Sequence, residues 1–341
     1  MSTDEPSTVE ELRTPALVVD RPTFDRNVAA MATARPGRSL RPHVKAFKST
    51  DLARELEAAG HPGFCAATPR EIEGLARAGV GDDLLLANES LDVARLGAAA
   101  EETGTTITVA VDSDVVLDAA IAGGIRSVLI DIDVGLPRCG CDVDTGARLA
   151  DRARAAGIEV RGVMGYEGHL MMVEDPAKKA DKVESCMAIL LDASDRIGGD
   201  IVSGGGTGTY DVNTWCTEIQ AGSYTLLDTD YAKLDQPFEI ALSVHATVIS
   251  INAKGWMVVD AGLKAFGMDH GNPVWPGPGE LLFCSDEHAT IVPEELSAWS
   301  VGDRLRLHPA HVDPTVARHA EMWIADGDAI IDRWGVDLRH W

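Results

Sequence analysis

Short apolar runs rich in valine and isoleucine alternate with alanine- and leucine-rich stretches through the first two thirds of the chain. Several runs are apolar without a break, as at 128–130 (Val-Leu-Ile), which is typical of strands buried on both faces of a parallel sheet. The predicted strands are 39–47, 63–68, 83–88, 106–112, 127–134, 160–166, 201–203 and 219–224. Eight strands, each followed by a helix or a loop, predict a TIM-type (β/α)8 barrel.

The stretches between these strands have the composition and the endings of helices. The clearest predicted helices are 51–60, 70–79, 144–157 and 176–197. Gly60, Gly79 and Gly157 stand at the ends of three of them, where glycine can adopt the left-handed conformation that commonly stops a helix. The alternation therefore favours an α/β fold.

The pattern changes after about residue 236. An early strand at 16–19 is assigned no helix partner and is expected to join a second domain. The strands predicted in the C-terminal third are short, separated by Gly/Pro turns, and lie at 239–251, 255–260, 281–283, 289–292, 304–308 and 321–326. We therefore predict a barrel over residues 22–236 and an all-β domain formed by residues 1–21 and 237–341.

The charge of the chain excludes some classes of partner. There are 30 lysine and arginine residues against 54 aspartate and glutamate residues, which gives a formal net charge of -24. Nucleic acids and anionic membranes bind clustered positive charge, so neither is an expected partner. The chain has no apolar run long enough for a transmembrane helix and begins with acidic, polar residues, so a cytoplasmic protein without a signal peptide is expected.

The six cysteines are scattered along the chain. Cys139 and Cys141 are the one closely spaced pair, and no second pair completes a zinc site. We expect reduced thiols that are mostly buried.

Lys45 stands at the end of the first predicted strand, in the segment 41–45 (Arg-Pro-His-Val-Lys). Active sites of TIM-type barrels gather at the C-terminal ends of the strands. Partial burial and the neighbouring cations His43 and Lys48 would lower the pKa of the Lys45 amine and make it a nucleophile. A lone lysine is more often a solvated side chain, so its position is what makes it a candidate for binding an aldehyde.

Two glycine-containing loops follow the seventh and eighth predicted strands. They are 203–209 (Ser-Gly-Gly-Gly-Thr-Gly-Thr) and 220–224 (Gln-Ala-Gly-Ser-Tyr). Barrels often bind phosphate at these two loops, where small residues let backbone N–H groups approach the ligand. Glycine also serves tight turns, so the position of the loops carries more weight than their composition.

Two further candidates are polar groups after the fifth strand and in the C-terminal third. Arg138 follows the strand at 127–134 and can bind an anionic oxygen, although a surface ion pair is an equally good interpretation. His311 and Asp313 lie between Pro309 and Pro314, which favours an extended segment. Residues i and i+2 of an extended segment point to one face, so both side chains could meet one cation.

The order of these motifs resembles a known family. Besides the segments above, the chain has Thr-Pro-Ala-Leu-Val-Val-Asp at 14–20, Asp-Ala-Gly at 260–262 and Pro-Ala-His-Val-Asp at 309–313. Together they resemble the D-threonine aldolase and D-serine dehydratase-like family of fold-type III pyridoxal-phosphate enzymes, through nearly the whole chain. The ordered set is much more specific than any single motif.

The resemblance implies an alanine racemase-like N-terminal barrel, a C-terminal β domain, and pyridoxal phosphate attached to Lys45. It implies that Arg138 faces the phenolic oxygen of the cofactor and that Tyr166 lies near its ring. The other cofactor contacts, mainly with the phosphate, are assigned to Gly205, Gly206, Thr207, Gln220, Gly222, Ser223 and Tyr224. Such enzymes are usually head-to-tail dimers, so a homodimer is expected.

The resemblance also implies that His311 and Asp313 bind a divalent metal beside the substrate. Dehydratases of the family have a His-x-Cys pair suited to zinc, whereas its aldolases have His-x-Asp, as here. A carboxylate suits harder ions, so Mn²⁺ or Mg²⁺ is expected rather than Zn²⁺. The expected reaction is retro-aldol cleavage of a D-threonine-like D-β-hydroxy-α-amino acid to glycine and an aldehyde.

In the expected mechanism the metal binds the β-hydroxyl of the substrate and lowers its pKa. The base that removes the hydroxyl proton is either His169 or a hydroxide on the metal. The Cα–Cβ bond then breaks while the cofactor accepts the electrons, and Lys45 is a candidate for returning a proton to the glycine product.

Three other functions stay open. The nearest is a D-serine or 3-hydroxy-D-aspartate dehydratase, and the furthest is a non-catalytic pyridoxal-phosphate-binding protein. A racemase would use a tyrosine of the C-terminal domain, and no tyrosine follows Tyr231. The family usually has Thr or Ser and then His after the cofactor lysine, whereas this chain has Ala46 and Phe47, so the choice of substrate is left open.

Overall fold

A computed structural model describes residues 5–341 of the chain. Its strands, in chain order, are β1 (Ala16–Asp20), β2 (Gly63–Ala66), β3 (Asp83–Leu86), β4 (Thr106–Val111), β5 (Ser127–Asp131), β6 (Glu159–Gly165), β7 (Ile201–Gly204), β8 (Glu218–Ile219), β9 (Leu242–Asn252), β10 (Trp256–Val259), β11 (Gly279–Cys284), β12 (Ala289–Pro293), β13 (Arg304–Leu307), β14 (Glu321–Asp326) and β15 (Ala329–Gly335). Its α-helices are α1 (Arg21–Ala34), α2 (Thr50–Ala58), α3 (Pro69–Ala78), α4 (Ala94–Thr103), α5 (Asp114–Ala122), α6 (Val143–Ala155), α7 (Pro176–Ile197) and α8 (Val312–Val316).

The chain divides into two compact units, which do not follow the sequence in two simple halves. The barrel unit consists of Met31–Lys45, Leu52–Gly222 and Leu338–Trp341. The β unit takes the described residues up to Ala30, together with Ala46–Asp51 and Ser223–Asp337.

The barrel unit contains a seven-stranded parallel sheet in the order β2-β3-β4-β5-β6-β7-β8. Between its strands lie the helices predicted from the sequence, and α7 begins and ends at the predicted residues. Successive strands contribute one side chain each to a buried layer formed by Cys65, Leu85, Ala110, Leu129 and Met164. The α/β barrel-type fold is therefore confirmed.

The first predicted strand, 39–47, is wrong as a strand. Its place is taken by an extended segment that pairs at single residues, Leu40 with Ile219 of β8 and His43 with Cys65 of β2, both in parallel. The segment therefore lies between the two edges of the seven-stranded sheet and completes the ring. The pairing ends at His43, and Val44–Ala46 then forms a 3-10 helix. Lys45 therefore does not lie on a strand.

A buried ion network fixes this segment inside the barrel unit. Arg41 Nε donates to Glu218 Oε1 at 2.8 Å, and its Nη2 donates to Asp83 Oδ2 at 3.1 Å. Arg161 Nη1 donates to Asp83 Oδ1 at 2.7 Å. Burial raises the pKa of Asp83, but its hydrogen bonds with the two arginines outweigh burial and hold that pKa well below its usual range. The network is compensated internally, which is the condition under which buried charge is tolerated.

The β unit is built on one mixed sheet in the order β11-β12-β10-β9-β1-β14-β15, with β13 paired to β9. Strand β1 confirms the expectation that the early strand joins the C-terminal strands, since it pairs with β9 antiparallel and with β14 parallel. The expectation that it has no helix partner is wrong, because α1 begins directly after it. Strand β15 was not predicted, because its residues alternate too little to stand out. None of the described helices combines the length and the apolarity that a bilayer span requires.

Candidate active site

Lys45 lies in the short 3-10 helix that follows the extended segment, and its side chain is partly buried. Its backbone N–H is directed at His43 Nδ1, 3.4 Å away. Since Arg41 anchors the same segment in the ion network, the position of Lys45 is set by contacts deep in the barrel unit. The sequence-based placement of this lysine at the C-terminal end of the first barrel position therefore agrees with its location, although not with its local conformation.

A cavity of about 180 Å³ opens beside Lys45. Its walls combine side chains that the sequence analysis named as site residues with several that it did not name. The lining residues are His43, Lys45, Ala67, Ala87, Asn88, Arg138, Met164, Tyr166, Gly205 and Gln220. All of them belong to the barrel unit. His43 and Lys45 come from the extended segment and the 3-10 helix after it, and the others lie at or beyond the C-terminal ends of strands, where barrels carry their active sites.

Arg138 and Tyr166 meet on one wall of this cavity. The guanidinium carbon of Arg138 lies 5.3 Å from the centre of the Tyr166 ring, a distance at which a cation and an aromatic face attract each other. Arg138 is exposed, and the loop 132–141 that carries it is tied back by backbone pairing between Ile132 and Cys141. The two side chains therefore share one wall of the cavity, and their contacts with a cofactor stay predictions.

The loop after β7 is stabilised by a carboxylate that the sequence analysis overlooked. Glu167 is fully buried and accepts from Gly205 N at 3.1 Å, Thr209 Oγ1 at 2.8 Å and Asn213 Nδ2 at 2.9 Å. Gly206 N donates to Thr209 Oγ1 at 3.2 Å. Two of the backbone N–H groups assigned to a phosphate therefore have protein partners, Gly205 N in Glu167 after β6 and Gly206 N in Thr209 of the same loop. The phosphate prediction for these two glycines rests on the shape of the loop.

Gly205 shows why the loop needs a residue without a side chain. Its φ of +70° lies in the left-handed region, and a Cβ there would lie 2.8 Å from Ile219 Cδ1. Thr207 is buried in the same loop. Gln220, after β8, donates from Nε2 to Ser203 Oγ at 2.9 Å, and Ser203 in turn donates to Glu218. The cavity wall at Gln220 is thereby connected to the buried ion network.

The remaining predicted cofactor residues divide between the units. Gly222 is the last residue of the barrel-unit segment Leu52–Gly222, and Ser223 and Tyr224 begin the next segment of the β unit. Ser223 and Tyr224 lie in a 3-10 helix, whereas the sequence predicted that a strand continues through them. Ser223 Oγ donates to Asp313 Oδ1 at 3.1 Å. Burial holds the pKa of Tyr224 well above its usual range. The phosphate roles of these three residues stay predictions.

His169 lies in a 3-10 helix after β6 and is exposed. Its Nε2 is 4.0 Å from Cys186 Sγ, and its ring adjoins Gly135. It is not among the described residues that line the cavity with Lys45. Its role as a base therefore stays a prediction.

The β unit contains a cluster of possible metal ligands formed by Asp269, His270 and His311. One ligand atom from each of the three lies within 4.8 Å of the others. His311 Nδ1 is 2.6 Å from Asp269 Oδ2, and the two imidazole rings stack with centres 4.1 Å apart. His270 Nδ1 is 2.8 Å from Asp230 Oδ2, a carboxylate contact of the kind that orients metal-binding histidines.

The predicted extended geometry at 311–313 is wrong. His311 is extended, but α8 begins at Val312, so Asp313 is in the first turn of a helix. The segment turns there because Asp228, which is buried, accepts from Val312 N at 2.9 Å. His311 therefore joins Asp269 and His270, whereas Asp313 lies outside that three-residue cluster and contacts Ser223. The metal roles of His311 and Asp313 stay predictions.

Sequence reasoning missed Asn88, Glu167, Asp269 and His270. Asn88 and Glu167 each lie two residues beyond the end of a strand, β3 and β6, so their positions carried a usable signal. Asp269 and His270 are adjacent to each other in a loop after β10, and a search for His and Asp beyond the one short motif would have found them.

The chemistry of both sites fits the groups that the sequence resemblance implies. Pyridoxal phosphate has an aldehyde, an aromatic ring and anionic oxygens, and the cavity offers an amine, an aromatic ring with apolar neighbours, and a guanidinium. Two imidazoles and a carboxylate around one point form a common ligand set for divalent cations. Although partial burial raises the pKa of Asp269, its hydrogen bond with His311 brings that pKa below the usual value, which favours the charged ligand.

Comparison with protein families assigns both parts of the chain. The model described as "Alanine racemase, N-terminal domain" matches residues 19–229, and the one described as "Putative serine dehydratase domain" matches residues 241–325. The first covers more than half of the chain. The two matches together account for the barrel strands and most of the C-terminal strands.

The chain is similar along most of its length to named enzymes. It is 34% identical to a D-threonine aldolase of Arthrobacter sp, over 96% of this chain and 92% of that protein. It is 32% identical to a 3-hydroxy-D-aspartate aldolase of Paracoccus denitrificans (strain Pd 1222), over 91% and 87%. It is 29% identical to a D-threo-3-hydroxyaspartate dehydratase of Delftia sp. (strain HT23), over 96% and 98%.

Solved structures agree with these similarities. The crystal structure of D-threonine aldolase from Filomicrobium marinum superimposes with a TM-score of 0.91 at 30% identity and covers 99% of each chain. That of D-threo-3-hydroxyaspartate dehydratase from Delftia sp. HT23 gives a TM-score of 0.86 at 26% identity, with 98% of this chain and 100% of that chain covered. The fold is therefore shared by enzymes with both kinds of name.

Proposed function

The chain belongs to the family of D-threonine aldolases and D-serine dehydratase-like enzymes with an alanine racemase-type N-terminal domain, and from this premise we propose that it is a pyridoxal-phosphate-dependent lyase that cleaves D-β-hydroxy-α-amino acids to glycine and an aldehyde. The relatives with aldolase names are 32–34% identical to this chain, and the dehydratase relative is 29% identical. This difference and the carboxylate at position 313 favour cleavage over elimination.

The observation that carries the proposal is the presence of the Lys45 amine and the Arg138 guanidinium on the wall of one cavity. An amine binds an aldehyde covalently, and a guanidinium beside it attracts an anionic oxygen. Tyr166 gives the guanidinium an aromatic neighbour, and Met164, Ala67 and Ala87 give the cavity apolar walls.

Pyridoxal phosphate would be held by Lys45, Arg138, Tyr166 and Gln220, with Gly205, Gly206, Thr207, Gly222, Ser223 and Tyr224 as proposed contacts of its phosphate. When bound, it supplies an electron sink for the bond that breaks at Cα of an amino acid. Lys45 lines the cavity, and its amine is the proposed donor of the proton that returns to Cα of glycine. Arg138 attracts anionic oxygens and so orients the bound molecules.

A divalent cation would be held by Asp269, His270 and His311, with Asp313 as a further proposed ligand. Such a cation lowers the pKa of a hydroxyl group that coordinates it, which is what cleavage of a β-hydroxy acid requires. Mn²⁺ and Mg²⁺ suit the carboxylates, and we propose them ahead of Zn²⁺, although two imidazoles accept all three ions. His169 is the proposed side-chain base for the substrate hydroxyl.

We also propose that the protein is a cytoplasmic homodimer, as expected from the family resemblance. Light scattering of the purified holoenzyme measures the oligomeric state directly. A monomeric mass at working enzyme concentrations, in a fully active sample, would contradict the dimer.

The second candidate function is β-elimination, which the similarity to a D-threo-3-hydroxyaspartate dehydratase favours. The two reactions differ in their products. Purified enzyme with pyridoxal phosphate and Mn²⁺ is given D-threonine, D-serine and D-3-hydroxyaspartate in separate reactions, with the L-isomers as controls. Glycine and an aldehyde from a D-isomer are the expected products. Ammonia and a keto acid would instead show that the enzyme is a dehydratase. If none of the three substrates is converted although the cofactor is bound to lysine, a binding-only role is favoured.

A further inference from the structure

Glu89 follows strand β3 and places its carboxyl group where no donor meets it. Both carboxylate oxygens are buried, and no N–H or alcohol O–H group of the described residues donates to either oxygen. A buried carboxylate without a donor is costly, because nothing replaces the water that it loses. Glu89 therefore needs a neighbouring group that can supply a hydrogen-bond donor.

Asp131, the last residue of β5, is that neighbour. It is 7% exposed. Burial is the largest cause that raises the pKa of Asp131 well above its ordinary value, and the negative charge of Glu89 and a hydrogen bond with Glu89 follow. Two carboxyl groups in contact away from water cannot both ionise at low cost, so the pair retains a proton near neutral pH and titrates as a unit.

The carboxyl pair adjoins the cofactor pocket through Arg138. A cavity of about 10 Å³ is bounded in part by Asp131, Arg138 and Tyr166. Such a space is close to the size of one water molecule, which would connect the carboxyl group to the guanidinium. The charge of Arg138 also acts on Asp131 and lowers its pKa against the other causes. Arg138 and Tyr166 line the larger cavity with Lys45 as well.

The other titratable groups around the pair do not supply a competing proton near neutral pH. Burial, followed by Glu89, raises the pKa of Cys139 to about 12, and burial, followed by Asp112, raises that of Cys141 to about 12. Both thiols therefore stay uncharged. Asp112 Oδ2 accepts from Gly140 N at 3.3 Å, and its negative charge adds to the cost of ionising Asp131.

We propose that Glu89 and Asp131 are positioning residues that share one proton and, as a pair with a single negative charge, moderate the positive charge of Arg138 at the cofactor pocket. The inference rests on the proposed function, because the effect of the pair is exerted on bound pyridoxal phosphate. No other step of the proposed reaction involves either residue.

The test uses the visible absorbance of the lysine-bound cofactor, followed as a function of pH. Removing negative charge beside Arg138 makes the pocket more positive, so the nitrogen that joins Lys45 to the cofactor loses its proton at lower pH. Holoenzyme is compared with Glu89→Gln, Asp131→Asn and the double variant. Asp151→Asn, which makes the same chemical change on the exposed face of α6, is the control.

A shared proton predicts a non-additive result. Each single variant leaves one carboxyl group that ionises alone, so the net charge and the midpoint pH change little. The double variant loses the charge, and its midpoint moves down on the order of one pH unit. Equal shifts in the two single variants that sum in the double variant would show two independent carboxylates and overturn the shared proton. An unchanged midpoint in the double variant would overturn the link to Arg138.

Thermal unfolding of the apoprotein provides a second readout that does not need the cofactor. Because the folded pKa of Asp131 is raised, its stability contribution is complete below its unfolded pKa of about 4 and is lost as pH rises toward the folded value. The Tm of the wild type should therefore fall relative to that of the double variant between about pH 5 and pH 8. A constant Tm difference over that range would contradict the shared proton. A wild type that binds no cofactor would instead contradict the proposed function.

Discussion

The barrel unit and the β unit form their polar sites in different ways. In the barrel unit, Arg138 and Gln220 follow buried strands, Lys45 follows the extended segment that completes the ring, and all three line one cavity. In the β unit, Asp269, His270 and His311 come from loops, and Asp269 and His270 are exposed. The difference indicates that the proposed cofactor site depends on the fold as a whole, whereas the proposed cation site depends on a few local contacts.

The two sites should therefore work independently: the barrel pocket binds the cofactor and the β-unit cluster binds the cation. This division can be tested by removing one site at a time. If the account is correct, damage to the cation cluster leaves cofactor binding intact, and damage to the barrel pocket leaves cation binding intact. The expected effects decrease from the reacting lysine, through the ion network that supports it, to the cation ligands and the glycine loop.

Replacing Lys45 with alanine should have the largest effect. Removal of the amine that binds the cofactor should lower turnover by about 10³-fold or more and abolish the visible absorbance of the lysine-bound cofactor. Mn²⁺ binding, measured by calorimetry on the same sample, should stay unchanged. Lys178→Ala, on the exposed start of α7, is the control and should behave as the wild type. Retained activity and absorbance in Lys45→Ala would show that another amine binds the cofactor.

Replacing Arg41 with alanine tests whether the barrel pocket depends on contacts far from it. The change leaves Glu218 and Asp83 buried without one of their cations, so the free energy of unfolding should fall by about 3–5 kcal/mol. Arg196→Ala is the control from the barrel unit: its pair with Asp144 is largely exposed, so the loss should be much smaller. Denaturant unfolding compares the two variants. Equal losses would mean that the buried network contributes no more than a surface pair.

Replacing His311 with alanine tests the cation cluster. Loss of one of the proposed ligands should weaken Mn²⁺ binding and lower turnover by roughly 10²-fold, while the cofactor absorbance stays at its wild-type intensity. His288→Ala, which is an exposed histidine of the β unit, should leave both quantities unchanged. His270→Ala should resemble His311→Ala. If His270→Ala bound Mn²⁺ with wild-type affinity, His270 would not be a ligand, and the site would be limited to the motif at 311–313.

Replacing Glu167 with glutamine should have the smallest effect of the four changes. The amide retains one acceptor but not the charge that receives three donors, so the loop after β7 should loosen and the cofactor affinity should fall about tenfold. The change is measured by titrating apoprotein with pyridoxal phosphate. Glu174→Gln, on the exposed segment before α7, is the control. Unchanged affinity would mean that the loop keeps its shape without this carboxylate.

The predictions from the sequence succeeded where the pattern is regular over many residues. The buried runs of β2 to β7 and the whole of α7 could be found because apolar periodicity and glycine endings mark them. The motif containing Lys45 could be placed at the barrel mouth for the same reason. These features depend on local composition, which a single sequence displays.

The rest depended on contacts between residues far apart in the sequence. The sequence near Lys45 does not show that the segment before it pairs at only two residues, because the pairing depends on β2 and β8. The turn after His311 is fixed by Asp228, more than eighty residues away, so the pattern of prolines around the motif was misleading. Asp269 joins His311 only in the fold, and a pair of carboxyl groups such as Glu89 and Asp131 has no sequence signature.

The most direct test of the division of tasks follows cofactor and product in one sample. Purified holoenzyme is given the D-β-hydroxy acid that turns over best, and glycine release and the visible absorbance of the cofactor are recorded before chelation, after chelation and after return of Mn²⁺. If the cation acts only in catalysis, chelation abolishes glycine release and Mn²⁺ restores it. The absorbance of the cofactor before substrate is added should be the same in all three states. Glycine release that persists after complete removal of the cation, or cofactor that is lost together with the cation, would contradict this division of tasks.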